Sequence, residues 1–367
     1  MNIVINREDL LNPLQQVIGA VERKQTLPIL GNVLIQSNNG QLSLTATDLE
    51  IELITHLDIA VAEDILTTLP ARKLLDICKA LPDKCDIKFA IEDNQVTLTS
   101  GRSRFVLSTL PGKDFPGTED IDEQMSFEIP QKMLKLLIEK TAFAMAQQDV
   151  RYYLNGLLME LSKDFIRLVA TDGHRLALSE YENSNNVSTD KQIIIPRKGI
   201  LELSRLLSSS SDENAVVKIS NNHIRVLTRG FTFTSKLIDG KFPDYNRVIP
   251  LDGNKTLSVD RDLLKQSLQR ISILSNEKYR GIRLTLGDNN LSIQANNPDR
   301  EEAEEEITVD YDEAQLDIGF NVTYILDVLS VLDSEQVLIK LKDSNSSCVI
   351  TTPESDQFRY VVMPMRL

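Results

Sequence analysis

The chain has 367 residues, of which 41% are hydrophobic and 26% are charged, and its formal net charge is −14. A chain of this length is too long for one domain with a single hydrophobic core, so two or three domains are expected. An evenly spread acidic charge would disfavour general binding to nucleic acid, and the sequence has neither a stretch of roughly 18 uncharged apolar residues nor a signal peptide. We therefore expect a soluble, cytoplasmic protein.

Three segments of the chain repeat one pattern, a short strand followed by an amphipathic helix. They begin at Asn2, Ser126 and Thr256. In the third segment the apolar residues recur at helical spacing, at Leu263, Leu264, Leu268, Ile271 and Leu274. Short alternating segments follow each helix and are separated by turn-forming residues such as Asn39 and Gly40, which predicts antiparallel hairpins.

A second strand and helix follow in every copy. Alignment on Arg72, Arg197 and Asn321 gives nearly equal intervals, and the segments after Leu107 and Thr234 also match. Matched intervals predict an α+β fold of three repeated domains, each made of two halves that run strand, helix and three strands. The predicted domains are 1–123, 124–250 and 251–367.

The charge is segregated by predicted secondary structure. The six helix windows hold 19 basic and 12 acidic residues, a net charge of +7, so the rest of the chain carries −21. The windows are 7–24, 71–84, 131–151, 197–207, 261–280 and 321–333. Five of the six are neutral or basic, which favours a helical layer that faces a polyanion such as DNA. Ordinary solvent-exposed helix faces are the alternative for any single window.

The most acidic segment is 299–306. Such a charge run can be a solvated loop. It can also be one side of an interface, because Arg102, Arg104 and Phe105 lie on a predicted strand of the first copy and would complement an acidic edge.

No phosphate-binding loop, dinucleotide fingerprint, zinc-protease motif or nucleophile elbow occurs in the sequence. The three histidines, His56, His174 and His223, are far apart, so no histidine-rich metal site is expected. The cysteines are odd in number and form no C-x-x-C pair, which predicts small buried or half-buried side chains without a disulfide. They are Cys78, Cys85 and Cys348.

The segment from Thr171 to Arg175 carries the one motif that resembles a catalytic site, because a carboxylate near an imidazole can orient a base. No serine or cysteine beside it is activated by such a pair. The matching place in the first copy, Thr45 to Leu49, is again a corner between strands. We therefore favour a turn at Asp172 and Gly173.

The C-terminus is apolar to its last residues, whereas disordered ends are usually polar. Met363 and Met365 flank a proline, which suits an adaptable peptide-binding surface. A buried final strand is an equal alternative for Tyr360 to Val362.

Several motifs together make the chain resemble one family, the bacterial DNA polymerase III β subunits, or sliding clamps. They are LPILGN at 27–32, DLEIE at 48–52, SGRSRF at 100–105, QDVRYYLNG at 148–156, ATDGHRLA at 170–177, PRKG at 196–199, FPDY at 242–245, SNEKYRG at 275–281 and the ending VVMPMRL. The similarity covers essentially the whole chain.

The resemblance implies three DNA-clamp domains per chain and a head-to-tail homodimer, with sheets outside and helices lining a ring around duplex DNA. Such a processivity factor has no chemistry and no cofactor of its own. The implied partners are double-stranded DNA without sequence preference, an ATP-driven clamp loader, the polymerase III α subunit, and other polymerases and repair proteins that carry short peptide motifs. The implied DNA contacts are Lys24, Arg72, Gln148, Tyr152 and Tyr153.

The resemblance also implies a pocket for partner peptides between the second and third domains, apolar inside and polar at its rim. Its implied lining is Arg151, Leu154, Thr171, Gly173, His174, Arg175, Leu176, Pro243, Arg247, Val248, Asn321, Tyr324, Ser347, Val361, Met363, Pro364, Met365, Arg366 and Leu367. Asn345 departs from the apolar residue that the family has at one edge.

The implied dimer interface sets Lys73, Arg102, Arg104 and Phe105 against Ile273, Leu274, Glu301 and Glu305. Two other functions compete with a clamp. One is a metal-dependent nuclease or hydrolase that uses Asp172, His174 and the acidic segment, although a two-metal site needs converging carboxylates and this segment is contiguous. The other is an inert scaffold.

Overall fold

A computed structural model describes residues 2–22, 27–38, 40–61, 64–117, 122–182, 190–250 and 253–366. The helices of these residues are α1 Arg7–Val17, α2 Ala71–Ala80, α3 Gln131–Glu139, α4 Arg197–Leu206, α5 Arg261–Ser272 and α6 Val322–Val331. No helix in the described ranges has the length and apolar character needed to cross a membrane.

The strands in chain order are β1 Asn2–Asn6, β2 Asn32–Asn38, β3 Gln41–Thr47, β4 Ile51–Ala60, β5 Leu66–Pro70, β6 Asp86–Ile91, β7 Gln95–Ser100, β8 Ser103–Ser108, β9 Met125–Pro130, β10 Gly156–Leu161, β11 Phe165–Thr171, β12 Arg175–Glu182, β13 Lys191–Pro196, β14 Asn214–Ile219, β15 His223–Leu227, β16 Phe231–Lys236, β17 Lys255–Asp260, β18 Gly281–Gly287, β19 Asn290–Asn296, β20 Glu302–Thr308, β21 Leu316–Asn321, β22 Gln336–Leu341, β23 Cys348–Thr351 and β24 Phe358–Val362. Strand, helix and three strands recur six times in this order. The predicted half-domain pattern and the antiparallel hairpins are confirmed.

The predicted alignment of the helices was wrong by one residue. The second helix of each copy begins at Ala71, Arg197 and Val322, so Arg72 corresponds to Lys198 rather than to Arg197. The end of the first copy was also misaligned, because the strand pairing makes Leu107, not Ser108, the equivalent of Ser235. The first copy has one extra residue in the turn after this strand. The sequence pattern alone does not show whether that residue belongs to the strand or to the turn.

The chain folds as two compact units. Unit 1 comprises Met1–Leu134 and Leu201–Leu237. It holds a four-stranded sheet in the order β1-β6-β7-β8 and an eight-stranded sheet in the order β5-β2-β3-β4-β16-β15-β14-β9. Helix α1 packs against α2 and β4, and it buries Leu10 and Leu14 completely.

Unit 2 comprises Lys135–Ile200 and Ile238–Leu367. Its eight-stranded sheet has the order β13-β10-β11-β12-β24-β23-β22-β17, and its four-stranded sheet has the order β20-β19-β18-β21. Helix α5 packs against α6, β19 and β20. Strand β24 lies inside the larger sheet, and its residues Tyr360, Val361 and Val362 are buried, so the buried-strand alternative for Tyr360 to Val362 is confirmed.

Each eight-stranded sheet consists of two four-stranded sets from successive repeats. In unit 1 the sets join where β4 pairs with β16, with Ile51 opposite Ser235. In unit 2 they join where β12 pairs with β24, with Arg175 opposite Val362. The two joints are therefore built to the same register.

Helix α2 shows how the sequence gives these elements. Its buried residues are Ala71, Leu74, Leu75 and Cys78, one face at helical spacing, while Arg72 and Lys73 are exposed. The cysteines behave as predicted, because all three are free, Cys78 and Cys348 are buried, and Cys85 is half-buried.

Candidate functional site

A threonine and an aspartate build the corner between β11 and β12. The Thr171 hydroxyl donates to the carbonyl of Arg175 at 2.6 Å and accepts the N–H of Gly173. The Asp172 carboxylate accepts the backbone N–H groups of His174 and Arg175 at 2.9 and 3.1 Å. The turn interpretation is confirmed, since both side chains satisfy backbone groups of the turn.

Arg175 links this corner to helix α6. Its guanidinium donates to Asp327, to the Asp172 carboxylate at 3.2 Å and to the carbonyl of Phe143 at 3.0 Å. The guanidinium also lies 4.7 Å from the ring centre of Tyr324 and 5.3 Å from that of Phe143. An arginine held on several sides keeps a fixed orientation, so Arg175 is a rigid wall of the site.

The C-terminal segment runs along the same corner. Met363 donates its backbone N–H to the carbonyl of His174 at 2.9 Å, and Met365 donates to Gly319 of β21 at 2.8 Å. The His174 ring stacks on Tyr324 with centres 6.3 Å apart, and burial raises the pKa of Tyr324. Met363 and Met365 are half-buried, which leaves apolar side-chain surface within reach of a ligand.

An apolar cluster lies behind the corner. It comprises Ala146, Leu154, Leu158, Val169, Leu176, Leu178, Ile194, Phe242, Tyr245, Val349 and Val361, with Tyr153, Ile238, Val248 and Ile249 packed against it. The implied pocket residues Leu154, Leu176, Val248 and Val361 thus belong to one contiguous cluster. The four half-buried residues leave apolar surface at the edge of this cluster, and an aliphatic or aromatic anchor that packs there would be removed from water.

Arg151 covers the corner from the loop before β10. Its guanidinium donates two hydrogen bonds, of 3.0 and 2.8 Å, to the carboxylate of Asp149, and these lower the pKa of Asp149 to about 2. It also donates to the carbonyl of Asp172 at 3.2 Å. Gly173 has a φ of +89°, and a Cβ there would lie 3.0 Å from the guanidinium. A side chain at position 173 would therefore be strained by the positive φ and would displace the Arg151 guanidinium slightly.

Of the implied DNA contacts that are described, Arg72, Gln148 and Tyr152 are exposed and Tyr153 is half-buried. Arg72 is exposed on α2, and Gln148 is an exposed loop residue with a φ of +55°. Tyr152 is 58% exposed and meets Tyr153 edge-on, with ring centres 5.8 Å apart. Lys24 lies outside the described residues. Their contact with DNA stays a prediction.

The remaining implied pocket residues lie at the surface of unit 2. Pro243, Arg247 and Arg366 are exposed, and Ser347, Asn321 and Pro364 are half-buried. Arg247 pairs with Asp244 at 2.9 Å, and Asn345 is exposed in a turn. Leu367 lies outside the described residues.

The implied interface residues divide between two sheet edges and two helices. Arg102 precedes β8, on which Arg104 is exposed and Phe105 half-buried, and Lys73 is exposed on α2. Ile273, at the end of α5, is 76% exposed, and Leu274 beside it is half-buried.

The acidic segment is a solvated loop only up to Glu301, because β20 begins at Glu302 and pairs with β19. The loop alternative was thus wrong for residues 302–306, which lie on strand β20. Ala303 and Glu305 are half-buried there, and the other three residues are exposed. Glu305 is bound by Arg270 and by Ser267 at 2.7 Å. The bond from Arg270 lowers the pKa of Glu305.

Sequence reasoning missed Asp327, Phe143 and Asp149, which orient the two arginines of the site. Asp327 could have been found, because it lies three residues after Tyr324 and so on the same helix face. Phe143 offers its backbone carbonyl, and no side-chain pattern indicates that.

Comparison with known proteins identifies the family. The models of the DNA polymerase III beta subunit match in three parts, the N-terminal domain at residues 1–119, the central domain at 128–244 and the C-terminal domain at 246–366. The chain belongs to this family of sliding clamps, the processivity factors of DNA replication.

Full-length relatives agree with the family models. The chain is 53% identical to the beta sliding clamp of Pseudomonas putida and 50% identical to that of Escherichia coli, each over 100% of both chains. The crystal structure of the DNA polymerase III subunit beta from Pseudomonas aeruginosa is 53% identical, with a TM-score of 0.97 and full coverage of both chains. A second structure of that clamp is bound to griselimycin. The fold of three clamp domains is confirmed.

Proposed function

We propose that two copies of this chain close head to tail into a ring around duplex DNA, slide along it and tether the replicative polymerase and other proteins. A clamp loader would open the ring, and the chain would act in the cytoplasm without chemistry of its own. One observation carries the ring. Each of the two four-stranded sheets ends in an edge strand whose outer side pairs with no other described strand, and the equivalent strands of the other repeats are paired with each other.

These edges are β8 and β20. In the repeat, β8 corresponds to β16 and β24, whereas β20 corresponds to β4 and β12. The pairs β4 with β16 and β12 with β24 form within the chain, but no described strand covers the outer edge of β8 or of β20. An uncovered edge is a template for pairing, so a third joint between copies would complete a third eight-stranded sheet.

The register of the inner joints predicts the register of this outer joint. It would place Phe105 opposite Ala303 of the partner subunit, and Arg104 opposite Glu304 of the partner subunit. Two residues further along, Arg102 would face Glu306 of the partner subunit. Cross-strand pairs of opposite charge stabilise antiparallel edges. A contact of two different edges is heterologous and must close or polymerise.

The charge distribution supports DNA as the occupant. The helix windows are net positive in a chain of charge −14, and Arg72, Lys73 and Lys79 are exposed on α2. Lysine and arginine neutralise phosphates without reading sequence. Helix α6 has no basic residue and instead supplies Tyr324 and Asp327 to the corner of unit 2, so the repeats serve different partners.

The corner of unit 2 is proposed as the tether. An apolar anchor of a partner peptide would pack on Leu176 and Val361, while the fixed guanidinium of Arg175 and the backbone around His174 would hold polar groups at the rim.

Retention on DNA tests the ring. The protein is loaded onto nicked circular plasmid by a clamp loader with ATP, washed at high salt, and the plasmid is then cut once by a restriction enzyme. A topological clamp should survive the wash and leave the linear DNA through its ends. Loss in the wash contradicts the ring, and cleavage of the plasmid by the protein itself would favour a nuclease.

A further inference from the structure

Unit 1 contains a cavity of about 380 Å³ at the corner between β3 and β4. Its volume lies within the range of about 300 to 1,000 Å³ that small ligand sites occupy. Part of its lining comes from Thr47, Leu49, Glu50, Ile51, Thr234 and Lys236.

This corner repeats the hydrogen bonds that the threonine and the aspartate make to the turn backbone in unit 2. The Thr47 hydroxyl donates to the carbonyl of Ile51, as Thr171 does to Arg175. The Asp48 carboxylate accepts two backbone N–H groups of the turn at 2.9 and 2.8 Å, which matches Asp172.

The strand across the corner also matches. Lys236 donates its backbone N–H to the carbonyl of Glu50 at 2.9 Å, and Met363 donates to His174 at the same distance. The six lining residues therefore occupy the positions of Thr171, Gly173, His174, Arg175, Val361 and Met363, all of which belong to the proposed peptide site.

The side chains at these positions have different chemistry. Lys236 replaces a methionine, Thr234 replaces a valine and Glu50 replaces a histidine, so the lining gains an ammonium group, a hydroxyl and a carboxylate. Leu49, 42% exposed with a φ of +77°, stands where unit 2 has glycine. His223 also lines the cavity and lies directly opposite Lys236 in the sheet. His223 and Lys236 thus line the cavity from adjacent positions of the sheet, and Leu49 is part of the same lining.

We propose that this cavity is a second docking site, which binds a short extended acidic segment of a partner protein. A carboxylate of the segment would lie against Lys236 and His223, and an aliphatic side chain would pack on Leu49. Glu50 would accept a backbone N–H of the segment. The choice of a peptide as ligand rests on the proposed function of the equivalent corner in unit 2, whereas the site itself rests on the cavity and its lining.

Methyl NMR of the full dimeric protein tests the proposal. The probe is the capped pentapeptide Gly-Asp-Leu-Asp-Gly, titrated into protein labelled at leucine, isoleucine and threonine methyls. We expect saturable shifts at Leu49 and Thr234. Lys236→Gln should weaken binding about fivefold, as loss of an exposed charge pair does, and the matched exposed variant Lys163→Gln should not. The same peptide with Asn in place of Asp should bind more weakly.

Three results would overturn the proposal. They are no shift at Leu49, shifts that Lys236→Gln leaves unchanged, or equal shifts produced by sodium acetate, which would make the cavity a site for simple anions. A chain that lacks residues 363–367 should keep the Leu49 shifts even where its unit 2 corner is inactive. The experiment therefore distinguishes a failure of the unit 2 site from a failure of the unit 1 cavity to bind the peptide.

Discussion

Arg205 donates from its guanidinium to the backbone carbonyl of Gln16 at 2.6 Å and to that of Gln15 at 3.1 Å. Both carbonyls belong to the last turn of α1, so a side chain of α4 caps the end of a helix from the preceding repeat. In unit 2, Lys140 reaches the carbonyl of Val331, the last residue of α6. At both joints within the chain, a basic side chain of one repeat thus donates to the helix-end carbonyls of the neighbouring repeat. At the first joint the basic side chain belongs to the later repeat, and at the second joint it belongs to the earlier repeat.

Arg205→Gln should lower the stability of unit 1. The variant leaves carbonyls of α1 without a charged donor, and because Arg205 is partly exposed we expect a loss of only about 1 kcal/mol. Thermal unfolding and urea unfolding measure it. Arg229→Gln, in an exposed turn of the same unit, is the matched control, and an equal effect of both variants would contradict a capping role.

Ile273→Ser should weaken the dimer. Ile273 is 76% exposed in the single chain, and burial of an isoleucine contributes about 2 kcal/mol, so the dissociation constant should rise by roughly tenfold or more. Sedimentation equilibrium measures the change. Val150→Ser alters a side chain that is 95% exposed, and it should leave the dissociation constant unchanged. An unchanged constant for Ile273→Ser would remove this residue from the interface.

The pairing register explains what the sequence could and could not predict. The order of elements was predictable because the hydrophobic period changes between helix and strand at matched intervals. The one-residue slip between Leu107 and Ser108 was not, since it depends on which residue the following turn absorbs. The contacts of Arg175 were not predictable either, because Phe143 and Asp327 are distant in sequence and meet the guanidinium only after folding.

Alkaline pH should destabilise the protein partly through Tyr245. Burial, and then its hydrogen bond to Glu160, raises the pKa of Tyr245 to about 12, above the ordinary value of 10.0. The folded state therefore keeps a proton that the unfolded chain loses. The stabilisation is complete below the unfolded pKa and is lost as the pH rises through the folded pKa.

Tyr245→Phe isolates this contribution. The difference in the free energy of unfolding between the native chain and the variant should be constant below pH of about 10 and should shrink by on the order of 2 kcal/mol towards pH 12. Urea unfolding at several pH values measures it. A difference that does not change across this window would mean that Tyr245 titrates normally.

Removal of residues 363–367 should abolish docking of partner peptides and spare the dimer. Strand β24 ends at Val362 and keeps its pairing with β12, whereas the truncation removes the backbone donors that Met363 and Met365 offer to His174 and Gly319. Fluorescence anisotropy with a labelled peptide ending in Leu-Phe measures docking, and sedimentation measures the dimer. Arg205→Gln, whose change lies in unit 1, serves as the control that should still bind the peptide. Equal loss of docking and of the dimer would instead assign the segment a structural role. In that case its hydrogen bonds to the β11–β12 corner and to β21 would be needed to hold these two elements together.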